Sequence, residues 1–278
     1  MLIVEQIRRV LLYWILSPGL KSVIVKVLKN FHKSSLKEHT TNKFRELDFN
    51  IWLKYGTHQD VHAYPLQSIR YQGGISFFRS QNHFLRYYEA GKSSLTQFYE
   101  MHQPNNILEA HFLYNDFDIK SPLPPKGLLP WQIQATTFKG ENGLTAIHGH
   151  QAFGPVSNKK ISMEAKRLDN LLKSINRFGY VPELFDGHPR GYLLIDDINS
   201  SSRQRFVITG GQHRVAVLSY LGFTEILLQF EPTFPREIKA SDIENWPSVK
   251  TGAYSKILAY KIFYSYFRDE NLNLLENW

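Results

Sequence analysis

The chain has 278 residues, with 33 Lys and Arg against 25 Asp and Glu for a formal net charge of +8, and it contains no cysteine. Such a length holds one or two domains of about 150 residues each. A composition of 42% hydrophobic, 14% aromatic and 21% charged residues excludes wholesale disorder, because so apolar a chain offsets its ordering entropy. The lack of Cys excludes a disulfide scaffold, thiolate metal sites and a cysteine nucleophile.

The excess charge is concentrated at the start of the chain. Residues 1–45 carry nine bases and two acids, a net of +7, so residues 46–278 hold 24 bases against 23 acids and are nearly neutral. That distribution speaks against nucleic acid as a partner, since a nucleic-acid-binding domain carries its basic footprint across its body. Within the arm, Ile3, Ile7, Val10, Leu11 and Trp14 recur at helical spacing, as do Leu20, Val23, Ile24, Val27, Leu28 and Phe31, with Pro18-Gly19 between them. The spacing predicts two short amphipathic helices. The longest apolar run, Val10 to Leu16, is too short to span a bilayer, and no small-residue cleavage site follows it, so neither a transmembrane helix nor a good signal peptide is expected. Two readings of the arm stay open. It packs on its own domain with a solvated basic face, or its lysines dock on an anionic membrane surface, which would make a cytoplasmic protein peripheral on the inner face of the membrane.

From Leu47 to Lys120 the sequence is aromatic-rich, with turn signals at Gly73-Gly74, Ala90-Gly91 and Pro104-Asn105-Asn106. A short strand is expected over 74–78 and a helix over 95–110. Ser121-Pro-Leu-Pro-Pro-Lys-Gly127 reads as a linker, because consecutive prolines hold an extended chain without ladder donors. The organisation expected is therefore an arm over 1–45, a mixed aromatic-rich extension over 46–126, a core domain over 127–235 and a C-terminal helical tail over 236–278. His148-Gly-His150 provides two imidazoles without a third ligand at recognisable spacing, so it is a candidate for lining a substrate loop and leaves any metal unknown. The loop continues into Gly154-Pro-Val-Ser157-Asn-Lys159-Lys160, a small-residue basic stretch able to approach a phosphate.

The segment from 157 to 230 says most. Ser162 reads as an N-cap for a helix over 163–178, with Leu168, Leu171, Leu172 and Ile175 on one face and Gly179 at its end. Two β-type runs, 192–195 and 205–209, follow on either side of a turn rich in Asp, Asn and Ser and read as a hairpin. Gly210-Gly211 then leads into a helix over 212–221 that carries His213 and Arg214 in its first turn, and a strand over 225–230 closes the unit. A strand, two glycines and a helix start form an anion cradle. Free N–H groups and the positive end of the helix dipole face the anion, glycine permits close approach, and arginine adds a charged fork.

The order of a helix with Ser174-Ile175 and Gly179, Pro182, two strands, then Gly211-Gln212-His213-Arg214 with Ala216 and Leu221-Gly222 resembles the ParB/sulfiredoxin-like superfamily. The resemblance covers about 70 residues and implies an α+β fold, a ParB/sulfiredoxin-like nucleotide-binding domain with an N-terminal helical and mixed extension and a C-terminal helix. It implies that Gly210, Gly211, Gln212, His213 and Arg214, with Ser157, Lys159 and Lys160, hold nucleotide phosphates. A helix-turn-helix module of the partition-protein kind does not fit in the 48 residues after Phe230, and sulfiredoxin chemistry needs a cysteine. The chain is most similar in mechanism to the free serine kinase branch, in which an acid early in the helix before the strands acts as base; Glu164 stands in that place. That branch begins its box with Asp where this chain has Gly210, so the contacts made by that Asp either come from elsewhere, with Asp196 and Asp197 as candidates, or are absent.

Phosphoryl transfer itself asks for a cradle, cations and a carboxylate to take the proton of an attacking hydroxyl. The expected catalytic set is Glu164, His213 and Arg214, with ATP or ADP and Mg²⁺ as cofactors and a small molecule or saccharide as acceptor. The tail Trp246-Pro-x-Val-x-x-Gly252-x-Tyr254-Ser255 also resembles ParB-like proteins of bacterial polysaccharide clusters, which implies work in cell-surface polysaccharide biosynthesis. Two alternatives remain: a nucleotide-binding regulatory or scaffold protein that does no chemistry, and a DNA-binding partition-type protein. The aromatic helix expected over 255–268 is read as packing on the core.

Overall fold

The computed structural model describes residues 61–78, 81–114, 122–135, 140–141, 143–182, 187–198, 202–232 and 234–268. The basic arm over 1–45, with its two expected helices, lies outside the described residues. The chain divides into two compact units, one gathering residues 1–59 with 172–187 and the other residues 60–171 with 188–278. The second unit takes in both sides of the proline-rich 121–127 segment. Leu123 packs against its core, Pro124 O accepts the Ile107 N–H at 3.2 Å and Lys126 donates to Pro104 O, so these residues run within one body.

The fold is α+β. Its strands are β1 (Val61–Pro65), β2 (Ile69–Arg70), β3 (Arg190–Asp196), β4 (Arg203–Gly210), β5 (Glu225–Phe230) and β6 (Glu237–Lys239). Its described α-helices are α1 (His83–Ala90), α2 (Lys92–Met101), α3 (Ile107–Ala110), α4 (Asn158–Phe178), α5 (Gln212–Tyr220), α6 (Pro247–Lys250) and α7 (Lys256–Ser265). None of the described helices is long and apolar enough to cross a membrane.

The mixed sheet runs β1-β5-β3-β4-β2, with β6 also pairing β3. The expected hairpin is present: β3 and β4 pair antiparallel, from Asp196 opposite Arg203 to Arg190 opposite Gly210. β3 is flanked on both edges, by β4 on one and by β5 and β6 in succession on the other. That position explains its near-continuous apolar text, because both faces and both edges are covered. Alternation along the strand sends Tyr192 and Leu194 to one face. There they join Val207, Trp131 and Trp246, and the α7 residues Leu258, Ile262 and Phe263, in one buried cluster. Ser255 caps α7, accepting the Leu258 N–H at 3.2 Å.

Three local expectations change. The strand expected over 74–78 is a 3-10 turn over Gln72–Gly74 followed by irregular chain, although Ser76 forms one bridge to Arg70. The helix expected over 95–110 is instead two, α2 and α3, broken where Pro104 removes a donor, with α1 before them. The long helix α4 begins five residues earlier than the sequence suggests. Ser157 caps it, its hydroxyl accepting the Lys160 N–H at 3.2 Å, while the Ser162 hydroxyl donates back to Asn158 O at 2.8 Å from inside the helix.

Candidate functional site

The earlier start of α4 places Lys160, Glu164 and Arg167 well inside a helix. Their i, i+4, i+7 spacing puts all three on one face. Glu164, fully buried, forms an ion pair with Lys160, Nζ to Oε1 at 2.9 Å without hydrogen-bond alignment, and lies 3.4 Å from the Arg167 guanidinium on Oε2. The same two cations are bridged from outside by Glu141, whose Oε1 meets Lys160 Nζ and whose Oε2 meets Arg167 at 3.0 Å. Glu164 is therefore no first-turn acid serving the helix dipole; its partners are side chains.

The remaining partner comes from the other end of the fold. β4 bulges at its junction with β3, where Thr209 is left over between two paired positions and bonds Arg190 O through its hydroxyl at 3.2 Å. The chain then turns through Gly211, which has φ of 86° and caps α5 in the left-handed region. A Cβ on Gly211 would lie 2.8 Å from the Cα of Pro189, so conformation and space both demand glycine. Gly211 O accepts from Arg214 N and Val215 N at 2.9 and 3.1 Å, which closes the first turn. The N–H groups before them have no intrahelical acceptor.

This turn aims His213 inward. Its Nε2 lies 2.5 Å from Glu164 Oε2, joining residues 49 apart in sequence, and both side chains are buried. Burial works against an ionised Glu164, but the His213 hydrogen bond and the two cations prevail and hold its pKa at about 2. Burial also lowers the pKa of His213, against the pull of Glu164. At neutral pH the pair is a carboxylate and a neutral imidazole. An ionised carboxylate only accepts, so Nε2 carries the proton and Nδ1 keeps the lone pair.

Aromatic side chains close around the pair. The Phe84 ring tilts against His213 with centroids 4.4 Å apart, and His83 stacks on Phe98 at 3.8 Å. His83 Nε2 and the Tyr99 hydroxyl both donate to Gln151 O, at 3.2 and 3.0 Å. Burial lowers the pKa of His83 to about 3 and raises those of Tyr71 and Tyr99, with Glu164 adding to the rise in both tyrosines.

The structure thus brings Glu164, Lys160 and His213 together and sets Gly210, Gly211, Gln212 and Arg214 beside them along the chain. Lys160 is a buried helix residue and not a loop cation: its charge is met by two carboxylates. Lys159 is exposed. Ser157 caps α4 and bonds His148 Nδ1 at 2.8 Å. His150 is drawn down to about 4 by burial and by the nearby Lys160 charge, and its Nδ1 accepts the Ala152 N–H at 3.2 Å.

Asp196 and Asp197 do not fit the role expected of them. Asp196 ends β3 at the end away from Arg190 and Asp197 follows it, and a seven-residue strand carries them about 20 Å from Gly210. There Asp196 accepts from Arg203 at 2.7 Å and from Tyr264 at 3.1 Å, while Asp197 accepts from Ser241. Among the described residues no group of three or more His, Asp or Glu side chains is placed to hold a metal ion.

Glu141, Arg167 and Phe84 are the members of the site that sequence reasoning missed. Arg167 had a legible signal in its helical spacing from Glu164; Glu141, alone in a glycine-flanked loop, had none. No protein-family model matches the chain, and comparison with curated proteins and with solved structures gives no match.

Proposed function

We propose that the chain is a ParB/sulfiredoxin-like, nucleotide-dependent phosphotransferase acting on a hydroxyl of a small molecule or saccharide. The observation that carries this reading is the hydrogen bond from His213 at the start of α5 to the buried Glu164 of α4. It joins the two segments on which the resemblance to the free serine kinase branch rests. The Gly210–Gly211 turn and the N-terminus of α5, with Arg214, are the seat for nucleotide phosphates.

Glu164 itself is enclosed and has partners on both oxygens, so it acts through His213. With Nε2 committed to Glu164, His213 Nδ1 is the nitrogen left to face an acceptor. In the proposed step the acceptor O–H bond breaks and its proton passes to Nδ1, the oxygen attacks the terminal phosphorus, and the departing nucleotide takes the electrons of the broken P–O bond. Glu164 stabilises the imidazolium that forms. Both carboxylates at the site are already engaged by cations, and no three-ligand group lies among the described residues.

The complete burial of Glu164 also favours a second reading, in which the cradle binds nucleotide as a switch and no transfer occurs. Thermal shift with ATP and ADP, run beside a phosphate-release assay with candidate hydroxyl acceptors, separates the two. The kinase reading expects nucleotide binding and turnover, and Glu164→Gln should keep binding while turnover falls by roughly 10²–10⁴-fold, the range of positioned acid–base groups. Binding without transfer or hydrolysis selects the switch, and turnover unchanged in Glu164→Gln overturns the assignment of the pair.

A further inference from the structure

Glu141 occupies an unusual place for a structural acid. It reaches in from a loop, with Leu144 N bonding back to Glu141 O at 3.0 Å, and puts one oxygen on Lys160 and the other on Arg167. The side chains become more exposed in one direction: Glu164 is 0% exposed, Lys160 3%, Arg167 22% and Glu141 34%. Glu141 is thus the outermost member, set between solvent and the two cations.

Charge makes the arrangement asymmetric. Lys160 and Arg167 face Glu164 from one side, and His213 is neutral beside it, so without Glu141 the cluster holds one uncompensated positive charge. A guanidinium fork and an ammonium side by side suit two oxygens of a tetrahedral phosphate as well as two oxygens of a carboxylate. We infer that Lys160 and Arg167 form a phosphate seat, and that Glu141 is a built-in carboxylate stand-in which a phosphate group displaces. A phosphate there would meet the same company that Glu141 now meets, with Glu164 held behind the two cations. Such a group is the terminal phosphate of a nucleotide or a phosphate borne by the acceptor. The choice of phosphate over another anion rests on the proposed function; the seat and its occupant rest on the ion pairs.

Displacement needs only rotation of the Glu141 side chain into solvent. The stand-in then has two effects: it keeps two buried cations paired while the seat is vacant, and it weakens every anion by competition. An anion that brings more charge than Glu141 has the advantage.

The test uses the full chain and inorganic phosphate, measured by calorimetry at constant ionic strength. Glu141→Gln should bind phosphate at least tenfold more tightly than the unaltered chain, and adding Arg167→Gln should abolish the gain. Glu141→Asp, which keeps the charge on a shorter reach, should give a smaller gain, and it serves where Glu141→Gln does not fold. Phosphate affinity unchanged in both Glu141 variants overturns the inference, as does a gain that survives Arg167→Gln. ATP titrated into Glu141→Gln identifies the source, since competition with inorganic phosphate assigns the seat to the nucleotide and additive binding to the acceptor. Nucleotide turnover is scored apart: tighter phosphate binding without phosphate transfer sinks the kinase reading and leaves the seat in place.

Discussion

A carboxylate with no exposed surface is tolerated only when its charge is met on every side. Glu164 meets that condition through Lys160, Arg167 and His213, and the balance is testable one residue at a time. Lys160→Met leaves Glu164 with a more distant guanidinium and a neutral imidazole. The expected loss is about 3 kcal/mol, the usual consequence of stranding one member of a buried pair. Adding Glu164→Gln should recover part of that loss, because the stranded charge goes with it. Urea unfolding of both variants at pH 7.5 checks this, and a double variant no more stable than Lys160→Met would show that the cluster is held by packing instead. The same locality made half of the site readable. Glu164 is legible from its place in the expected helix and His213 from the glycines before it, whereas the spacing that sets Lys160 on one face with Glu164 and Arg167 becomes legible only once α4 begins at Asn158. Glu141 and Phe84 reach the site only through the tertiary fold, and nothing local to Glu141 in the chain marks it.

At the scale of elements, punctuation decided what could be read. β3, β4, α5 and β5 are bounded by glycines and turn residues and appear close to the expected limits. α1 is an aromatic-rich octapeptide, but its boundaries were written in the sequence: Asn82 caps it by accepting the Phe84 N–H at 3.0 Å, and Gly91 ends it. For α4 two serines competed as caps. Ser157 prevails because its hydroxyl reaches the N–H three residues on, whereas that of Ser162 turns back to a carbonyl within the helix. The junction of β4 and α5 is the most exacting position. Gly211→Ala would force a side chain into the left-handed region and against Pro189, so a loss of roughly 1–3 kcal/mol is expected. Because this turn aims His213, phosphate or nucleotide affinity should fall beyond what the stability change explains. A folded Gly211→Ala chain, judged by circular dichroism, with unaltered ligand affinity would separate the turn from the site.

Across the whole unit, histidines that fold neutral couple stability to acidity. Burial lowers the pKa of His83, His102 and His111 to about 3 each, against an unfolded value near 6.5. Their packing explains why they resist protonation. His102 stacks on Phe112 with centroids 4.1 Å apart. His111 must donate from Nδ1 to Ser265 Oγ at 2.7 Å, because the serine's only hydrogen is already given to Ile262 O. For such groups the unfolded chain binds protons that the folded one does not. Their stabilisation is complete above pH 6.5 and erodes as pH falls toward 3, by at most about 1.4 kcal/mol per pH unit for each. Glu164, held at about 2, has the opposite chemistry and the same sign: its contribution is present above its unfolded value near 4.3 and is lost as pH falls toward 2. Three histidines give a slope of about 4 kcal/mol per unit at most, against a total stability of roughly 5–15 kcal/mol for a folded domain. The expected outcome is a urea midpoint that drops steadily from pH 7.5 to 5.5 and acid unfolding within about three units below 6.5. His111→Asn keeps an amide donor where Nδ1 stood and removes the titration, so the slope of stability against pH should shrink by close to one proton. A midpoint flat between pH 7.5 and 5.5, or a slope unaltered by His111→Asn, would mean that these rings already accept protons in the folded protein.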